Sequence, residues 1–171
     1  AIEVSAQSGE LSLRDNLIGN SGSHGIHLQG HSGGRLLLAG NLIANSTGSG
    51  IDGDNLDSAL IVANRISASP EYAISLRSSQ VQQGEIGLFD NQLASSGKSM
   101  IRSEGVQQLQ LGGNRFQDVA LNQLLLAGDL QAVQSLLLEA TLKQGCFARL
   151  QLTSSALPII PPPQVSHCTQ G

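Results

Sequence analysis

The stretch Leu36-Leu37-Leu38-Ala39-Gly40-Asn41-Leu42-Ile43-Ala44-Asn45-Ser46-Thr47-Gly48-Ser49-Gly50-Ile51-Asp52-Gly53-Asp54 decides the fold. Leu36 and Leu38 alternate with their neighbours, and Ile43 and Ile51 each open a further short run. A period of two is the pattern of a strand with one buried face. Between the runs stand Gly40-Asn41 and the cluster from Asn45 to Gly50, residue types that favour turns. The stretch therefore reads as three short strands joined by turns, with no helix.

The same frame recurs along the chain. Aligned on Asn16, Asn41, Asn64, Asn91 and Asn114, the repeats lie 25, 23, 27 and 23 residues apart. Five residues before each Asn stands Leu11, Leu36, Ala59, Ile86 or Leu109, and three before stands Leu13, Leu38, Ile61, Leu88 or Leu111. Two after come Ile18, Ile43, Ile66, Leu93 and Phe116, and ten after come Ile26, Ile51, Ile74, Ile101 and Leu124. All variation in length falls between the last column and the next repeat. A three-stranded unit of this size cannot bury its apolar positions alone, but stacked units make a continuous core. A leucine-rich repeat would need a Leu-x-x-Leu-x-Leu frame, which is absent. The Asn tolerates left-handed turn geometry, and stacked Asn side chains can bond to one another.

Composition agrees with stacked aliphatic layers. Of 171 residues 40% are hydrophobic, yet there are only three Phe, one Tyr and no Trp. A disordered chain would carry fewer aliphatics and more net charge than the −4 here. No apolar run reaches the 18 or so residues of a membrane helix. Nucleic-acid binding would ask for a basic surface and aromatic platforms, and both are missing.

The five frames Leu11–Leu28, Leu36–Gly53, Ala59–Leu76, Ile86–Ser103 and Leu109–Leu126, with their repeated Asn, resemble the right-handed parallel β-helix family typified by pectate lyases. The resemblance covers roughly residues 1–126. It implies an all-β, right-handed parallel β-helix solenoid of about five coils with an interior asparagine ladder. The fold hosts lyases, hydrolases, epimerases, adhesins and spikes, so it does not choose among activities.

The ends differ from the coils. Ile2 and Val4 match the columns ten and twelve residues after an Asn, so the chain is expected to open mid-coil, as the C-terminal portion of a longer β-helix. Residues 127–171 are expected to form a cap. Asp129 can N-cap a helix over roughly 130–143, with Leu130, Val133, Leu137 and Ala140 on one face and Gly145 as its stop. A short strand at 147–152 and a Pro-rich tail at 158–163 follow. Cys146 and Cys168 are expected to form a disulfide that ties the tail back, against the alternative of two free thiols. Neither Cys has a zinc-ligand spacing.

Fixing the inward columns fixes the outward ones. On the strand after the glycine-rich turn, one outward column reads Glu3, His27, Asp52, Ser75 and Arg102, and the next reads Ser5, Gln29, Asp54, Arg77 and Glu104. Stacked strands lie about 4.8 Å apart and same-face neighbours roughly 6.8 Å apart, so these residues share one polar strip. The preceding turn adds His24, Ser46, Thr47, Ser49, Glu71 and Tyr72. The resemblance implies a polysaccharide groove along this strip. Asp52 and Asp54 are the candidate catalytic carboxylates, at the roughly 6.5–9.5 Å separation of inverting glycosidases. His27, between Glu3 and Asp52, is the candidate acid, and Arg77 completes the candidate catalytic set. Glu3, Tyr72, Arg102 and Glu104 are candidate substrate-binding residues, the arginines pairing with uronate carboxylates.

The competing reading is structural. Asp54, Arg77 and Glu104 also satisfy ordinary cross-strand charge pairing on a solvated sheet. On that reading the chain is a non-catalytic shaft, adhesin or assembly module; if enzymatic, it is a carbohydrate-active hydrolase or lyase. No cofactor or metal ligand set is expected, with calcium between Asp52 and Asp54 as the one candidate. His31 and His167 are expected on the surface. A second outward face carries Leu37 and Leu60, then Ala39, Val62 and Phe89. Apolar residues facing outward need a cover, so Leu37, Leu60, Val62 and Phe89 are expected to contact protein, either the Leu-rich terminal segment folding back or a neighbouring subunit as a homo-oligomer or partner. A secreted or cell-surface location follows from the fold resemblance and the expected disulfide.

Overall fold

A computed structural model describes residues 1–5, 8–79, 84–106, 109–119, 126–127 and 138–142; for 118–119, 126–127 and 138–142 it describes the backbone alone. Ile2–Ser5 (β1) is followed by Leu11–Arg14 (β2), Leu17–Gly19 (β3) and Ile26–Gln29 (β4). The second coil is Leu36–Ala39 (β5), Leu42–Ala44 (β6) and Ile51–Asp54 (β7), and the third is Ala59–Val62 (β8), Arg65–Ser69 (β9) and Ile74–Arg77 (β10). Ile86–Phe89 (β11), Gln92–Ser96 (β12) and Ile101–Glu104 (β13) form the fourth. Leu109–Gly112 (β14), Asn114–Val119 (β15) and the two-residue Leu126–Ala127 (β16) begin another, and Leu138–Leu142 (β17) lies beyond.

Every third strand pairs in parallel with its equivalent one coil on. The three sheets run β1-β4-β7-β10-β13-β16, β2-β5-β8-β11-β14 and β3-β6-β9-β12-β15-β17. The register is the one the columns demand: Ile26 pairs with Ile51, Leu38 with Ile61 and Ile43 with Ile66. The described residues form an all-β parallel solenoid of about four full turns, consistent with the right-handed parallel β-helix. Its interior is aliphatic, and Ile26, Leu36, Leu38, Ile43, Ile51, Ile61, Ile66 and Ile74 are wholly buried. Among the described residues Phe116 is the only buried aromatic ring of Phe, Tyr or Trp.

The asparagines form the expected ladder. Nδ2 of Asn16, Asn41, Asn64 and Asn91 donates to Oδ1 of the next Asn at 2.8, 2.8, 3.0 and 2.9 Å. The second amide proton goes to a strand carbonyl of the preceding coil, as from Asn64 Nδ2 to Leu38 O at 2.9 Å. Each Oδ1 also accepts the backbone N–H of the previous ladder residue, as Asn91 Oδ1 does from Asn64 N at 3.0 Å. The interior members are thus fully bonded, which is what makes a buried polar column tolerable.

The left-handed residue at this corner is not the Asn but the one before it. Asp15, Gly40, Ala63, Asp90 and Gly113 have φ of 53, 64, 54, 54 and 64°. Asn is selected here for its carboxamide rather than for its backbone freedom.

Two other expectations change. The segment expected as a helix ends instead in a strand, since β17 pairs in parallel with β15. Leu138-x-Ala140-x-Leu142 satisfies period two as well as it does a helical face, and the edge of β15 offers unpaired backbone groups. His31, expected on the surface, is only 2% exposed, and neither ring nitrogen has a hydrogen-bond partner. It stands fifteen residues after Asn16, the position that Leu56 and Val106 fill in later coils, so it occupies an inward column. The remainder of the expected cap, the strand at 147–152, the Pro-rich tail, His167, and Cys146 and Cys168 with their disulfide lie outside the described residues.

Candidate functional site

The sheet containing β1, β4, β7, β10 and β13 builds the polar strip. Its register puts Glu3 beside His27, His27 beside Asp52, Asp52 beside Ser75, and Ser75 beside Arg102. The adjacent column runs Ser5, Gln29, Asp54, Arg77 and Glu104 in the same way. Both outward columns are therefore those expected from the sequence. Exposure along them is uneven: Glu3 is exposed, His27, Asp54, Arg77, Arg102 and Glu104 are half-buried, and Asp52 and Ser75 are buried.

Asp52 is the centre of the strip. Its Oδ2 lies 3.0 Å from His27 Nδ1, 3.0 Å from Arg77 Nη2 and 3.8 Å from His24 Nε2. Arg77 reaches Asp52 diagonally, although its register partner one coil back is Asp54. Asp52 and Asp54 consequently have unlike surroundings. The first is a buried carboxylate shared by a guanidinium and an imidazole, while the second is half-buried on the next outward column.

His24 joins this group from the turn before β4. The imidazoles of His24 and His27 stack with centroids 5.4 Å apart and planes 24° from parallel. Ser49 N–H, one coil on, donates to His24 Nδ1 at 3.0 Å and fixes the orientation of the ring. Gly48 makes room for it, since a Cβ there would stand 2.8 Å from Nδ1. His24, His27 and Asp52 each offer one ligand atom, and these atoms all lie within 4.8 Å of one another. The sequence put both histidines on the strip but did not reveal this trio. Its members come from a turn and from two coils, with no motif spacing to mark them.

Farther along, Tyr72 is flanked by two cations, with Lys98 Nζ and Arg102 Cζ each 5.3 Å from its ring centroid. Both cations are also paired: Lys98 with Glu71 at 3.0 Å, and Arg102 Nε with Glu104 at 2.8 Å. The side-chain hydrogen bonds from Arg102 hold the Glu104 carboxyl below its usual range, outweighing partial desolvation, and the Arg77 and Arg102 charges add to this. The same bonds raise Arg102. Glu3 takes its place in the strip through strand register beside His27. On the opposite apolar face Leu37, Leu60, Val62 and Phe89 are all half-buried. The Phe89 ring lies across Gly87 and Gly112, whose added Cβ atoms would stand 2.5 and 2.9 Å from it, so part of that face covers itself.

Residues 2–122 match the family described as "Periplasmic copper-binding protein (NosD)". The chain belongs to the NosD family. The NosD match spans every coil of the described solenoid up to β15 and includes the whole of the His24–His27–Asp52 group. As a NosD-family protein it is periplasmic, in agreement with the extracytoplasmic location expected from the sequence. Among the described residues no helix is long and apolar enough to cross a membrane. Neither a curated protein nor a solved structure matches the chain.

Proposed function

We propose that this chain is an extracytoplasmic β-helix module that holds a divalent copper ion through His24, His27 and Asp52. The observation that carries the reading is the convergence of two imidazoles and a buried carboxylate within 4.8 Å on the outer face of adjacent coils. The family description names copper, and the donor set suits it. Imidazole and carboxylate favour the divalent ion, whereas thiolate and thioether would favour the monovalent one. The separations of 3.0 and 3.8 Å from Asp52 Oδ2 to the two imidazole nitrogens are spanned by metal–ligand bonds of about 2.0–2.1 Å.

The fit asks both imidazoles to change tautomer, since His27 Nδ1 donates to Asp52 Oδ2 and would also have to give up its proton to ligate. With Ser49 N–H on Nδ1, neutral His24 carries its proton on Nε2, the atom that faces Asp52. Ligation through Nε2 moves that proton to Nδ1, and the Ser49 contact is given up. The bound ion supplies a Lewis-acidic, redox-capable centre; the chain supplies its position, the single negative charge of Asp52 and the stacking that holds His27 against His24.

Calcium at Asp52 and Asp54 is less well supported. That ion takes 6–8 oxygen ligands, and here Asp52 already faces three nitrogen groups. A polysaccharide groove would use the same strip, but Lys98 and Arg102 already lie on Tyr72, the ring placed for a sugar. The test is a titration of the metal-free chain with Cu2+, followed by calorimetry and visible absorption. One ion per chain is expected, lost in the double variant His24→Ala/His27→Ala. Unchanged stoichiometry in that variant would overturn the assignment, and a glycan array on the same protein would then decide for or against the sugar reading.

A further inference from the structure

Three nitrogen groups converge on one oxygen. His27 Nδ1, His24 Nε2 and Arg77 Nη2 all face Asp52 Oδ2, at 3.0, 3.8 and 3.0 Å. Two of these are the other candidate metal ligands. The third is a permanent cation, because a guanidinium does not lose its proton in the working pH range. Asp52 carries one negative charge and is 3% exposed, so water does little to screen what gathers around it. A divalent ion on Oδ2 would share that oxygen with Arg77, at a distance where like charges repel strongly.

Arg77 has somewhere else to go. Its own outward column places Asp54 one coil behind and Glu104 one coil ahead, in direct register. Parallel strands stack about 4.8 Å apart, well within the reach of an arginine side chain. Both carboxylates are half-buried, and the Arg77 charge already contributes to holding Glu104 ionised. Where it now sits, Arg77 is incompletely bonded, since its Nε is buried and has no partner.

From this geometry we propose that Arg77 is a displaceable counter-cation. It neutralises Asp52 while the site is empty and moves to Asp54 and Glu104 when a divalent metal ion takes Oδ2. The inference rests on the metal-binding reading above and adds a regulatory element to it. Arg77 thereby competes with the ion for the ligand oxygen and lowers the affinity of the site.

The experiment is a Cu2+ titration of the full chain and three variants, each checked for folding by thermal denaturation. Arg77→Met, which keeps the aliphatic stem and removes the charge, is expected to bind about tenfold more tightly than the parent chain. Asp54→Asn, which removes one alternative acceptor, is expected to bind several-fold more weakly. Added to Arg77→Met, Asp54→Asn is expected to change little, because the residue it acts through is gone. Binding by Arg77→Met no tighter than by the parent overturns the inference while leaving the metal site standing. Absence of binding in every variant overturns both. Should Arg77→Met fail to fold, Arg77→Gln serves the same comparison. In the parent chain with Zn2+ as a diamagnetic probe, the Arg77 Nε–H resonance is expected to shift on metal addition, and an unmoved resonance also counts against the switch.

Discussion

His27 and Asp52 sit directly opposite each other on neighbouring parallel strands, with Nδ1 and Oδ2 3.0 Å apart. The pair exists only when two coils are stacked, so the site is a property of the junction between them. Its integrity depends on the ladder and corners that set coil register as much as on its own residues.

Asn64→Ala is expected to destabilise the chain by roughly 2–4 kcal/mol, and Asn16→Ala by roughly 1 kcal/mol. Removing Asn64 takes a donor from the Leu38 carbonyl and the acceptor from the backbone N–H and one Nδ2–H of Asn41, all buried among the coils. Asn16 is only half-buried, and its loss removes one of the two donors to Asn41 Oδ1, which keeps the backbone N–H of residue 16. Urea denaturation of the two variants measures the difference. Equal losses would mean that the ladder contributes through local turn geometry alone.

Ala63→Gly is expected to stabilise the chain by about 0.5–1 kcal/mol. Ala63 holds φ of 54°, where a Cβ is strained, and the equivalent corners use Gly40 and Gly113 or Asp15 and Asp90. Relief of roughly 1–2 kcal/mol is partly offset by the greater freedom of glycine in the unfolded chain. A higher denaturation midpoint in urea checks the sign.

Gly48→Ala is expected to weaken Cu2+ binding about tenfold while changing stability by less than about 1 kcal/mol. The new Cβ would stand 2.8 Å from His24 Nδ1 and 2.9 Å from Cε1, so the imidazole must move. Calorimetric titration beside a thermal melt separates the two effects. A large stability loss with unchanged affinity would show that His24 is not held by this contact.

Glu104→Gln is expected to lower stability at neutral pH by less than about 1 kcal/mol, because the half-buried carboxylate still meets water and its pairing is screened. Hydrogen bonds from Arg102 hold the folded-state Glu104 carboxyl below the usual carboxylate range. A depressed carboxylate contributes stability above its unfolded value, and the contribution is lost as pH falls through the folded value. The parent chain and variant should therefore differ at neutral pH and converge in acid. Stability curves collected across that range provide the check.

The coils were legible because a solenoid repeats its constraint. Leu11, Leu36, Ala59, Ile86 and Leu109 each meet the same neighbours one coil away, so a single frame was written five times. The outward columns followed without further information. Corners were less legible. Ser21, Ser46, Ser69 and Ser96 look like loop residues, yet all are buried five residues after a ladder Asn. His31 was hidden by flanking glycine and serine, although alignment with Leu56 and Val106 marks its column. Gathering His24 onto His27 and Asp52 required the path of the turn, which spacing does not determine. Similarly, Arg77 choosing Asp52 over its register partner Asp54 depends on side-chain reach rather than on strand pairing.

The asparagine hydrogen bonds all point the same way, each Nδ2–H toward the Oδ1 of the following coil. Their amide dipoles therefore add along the solenoid axis and polarise one another. The molecule carries an internal electrical arrow, so its two ends are not equivalent even where their side chains match. A coil inserted in reversed orientation would break that arrow. Stacking is directional for this reason as well as for the parallel sense of the strands.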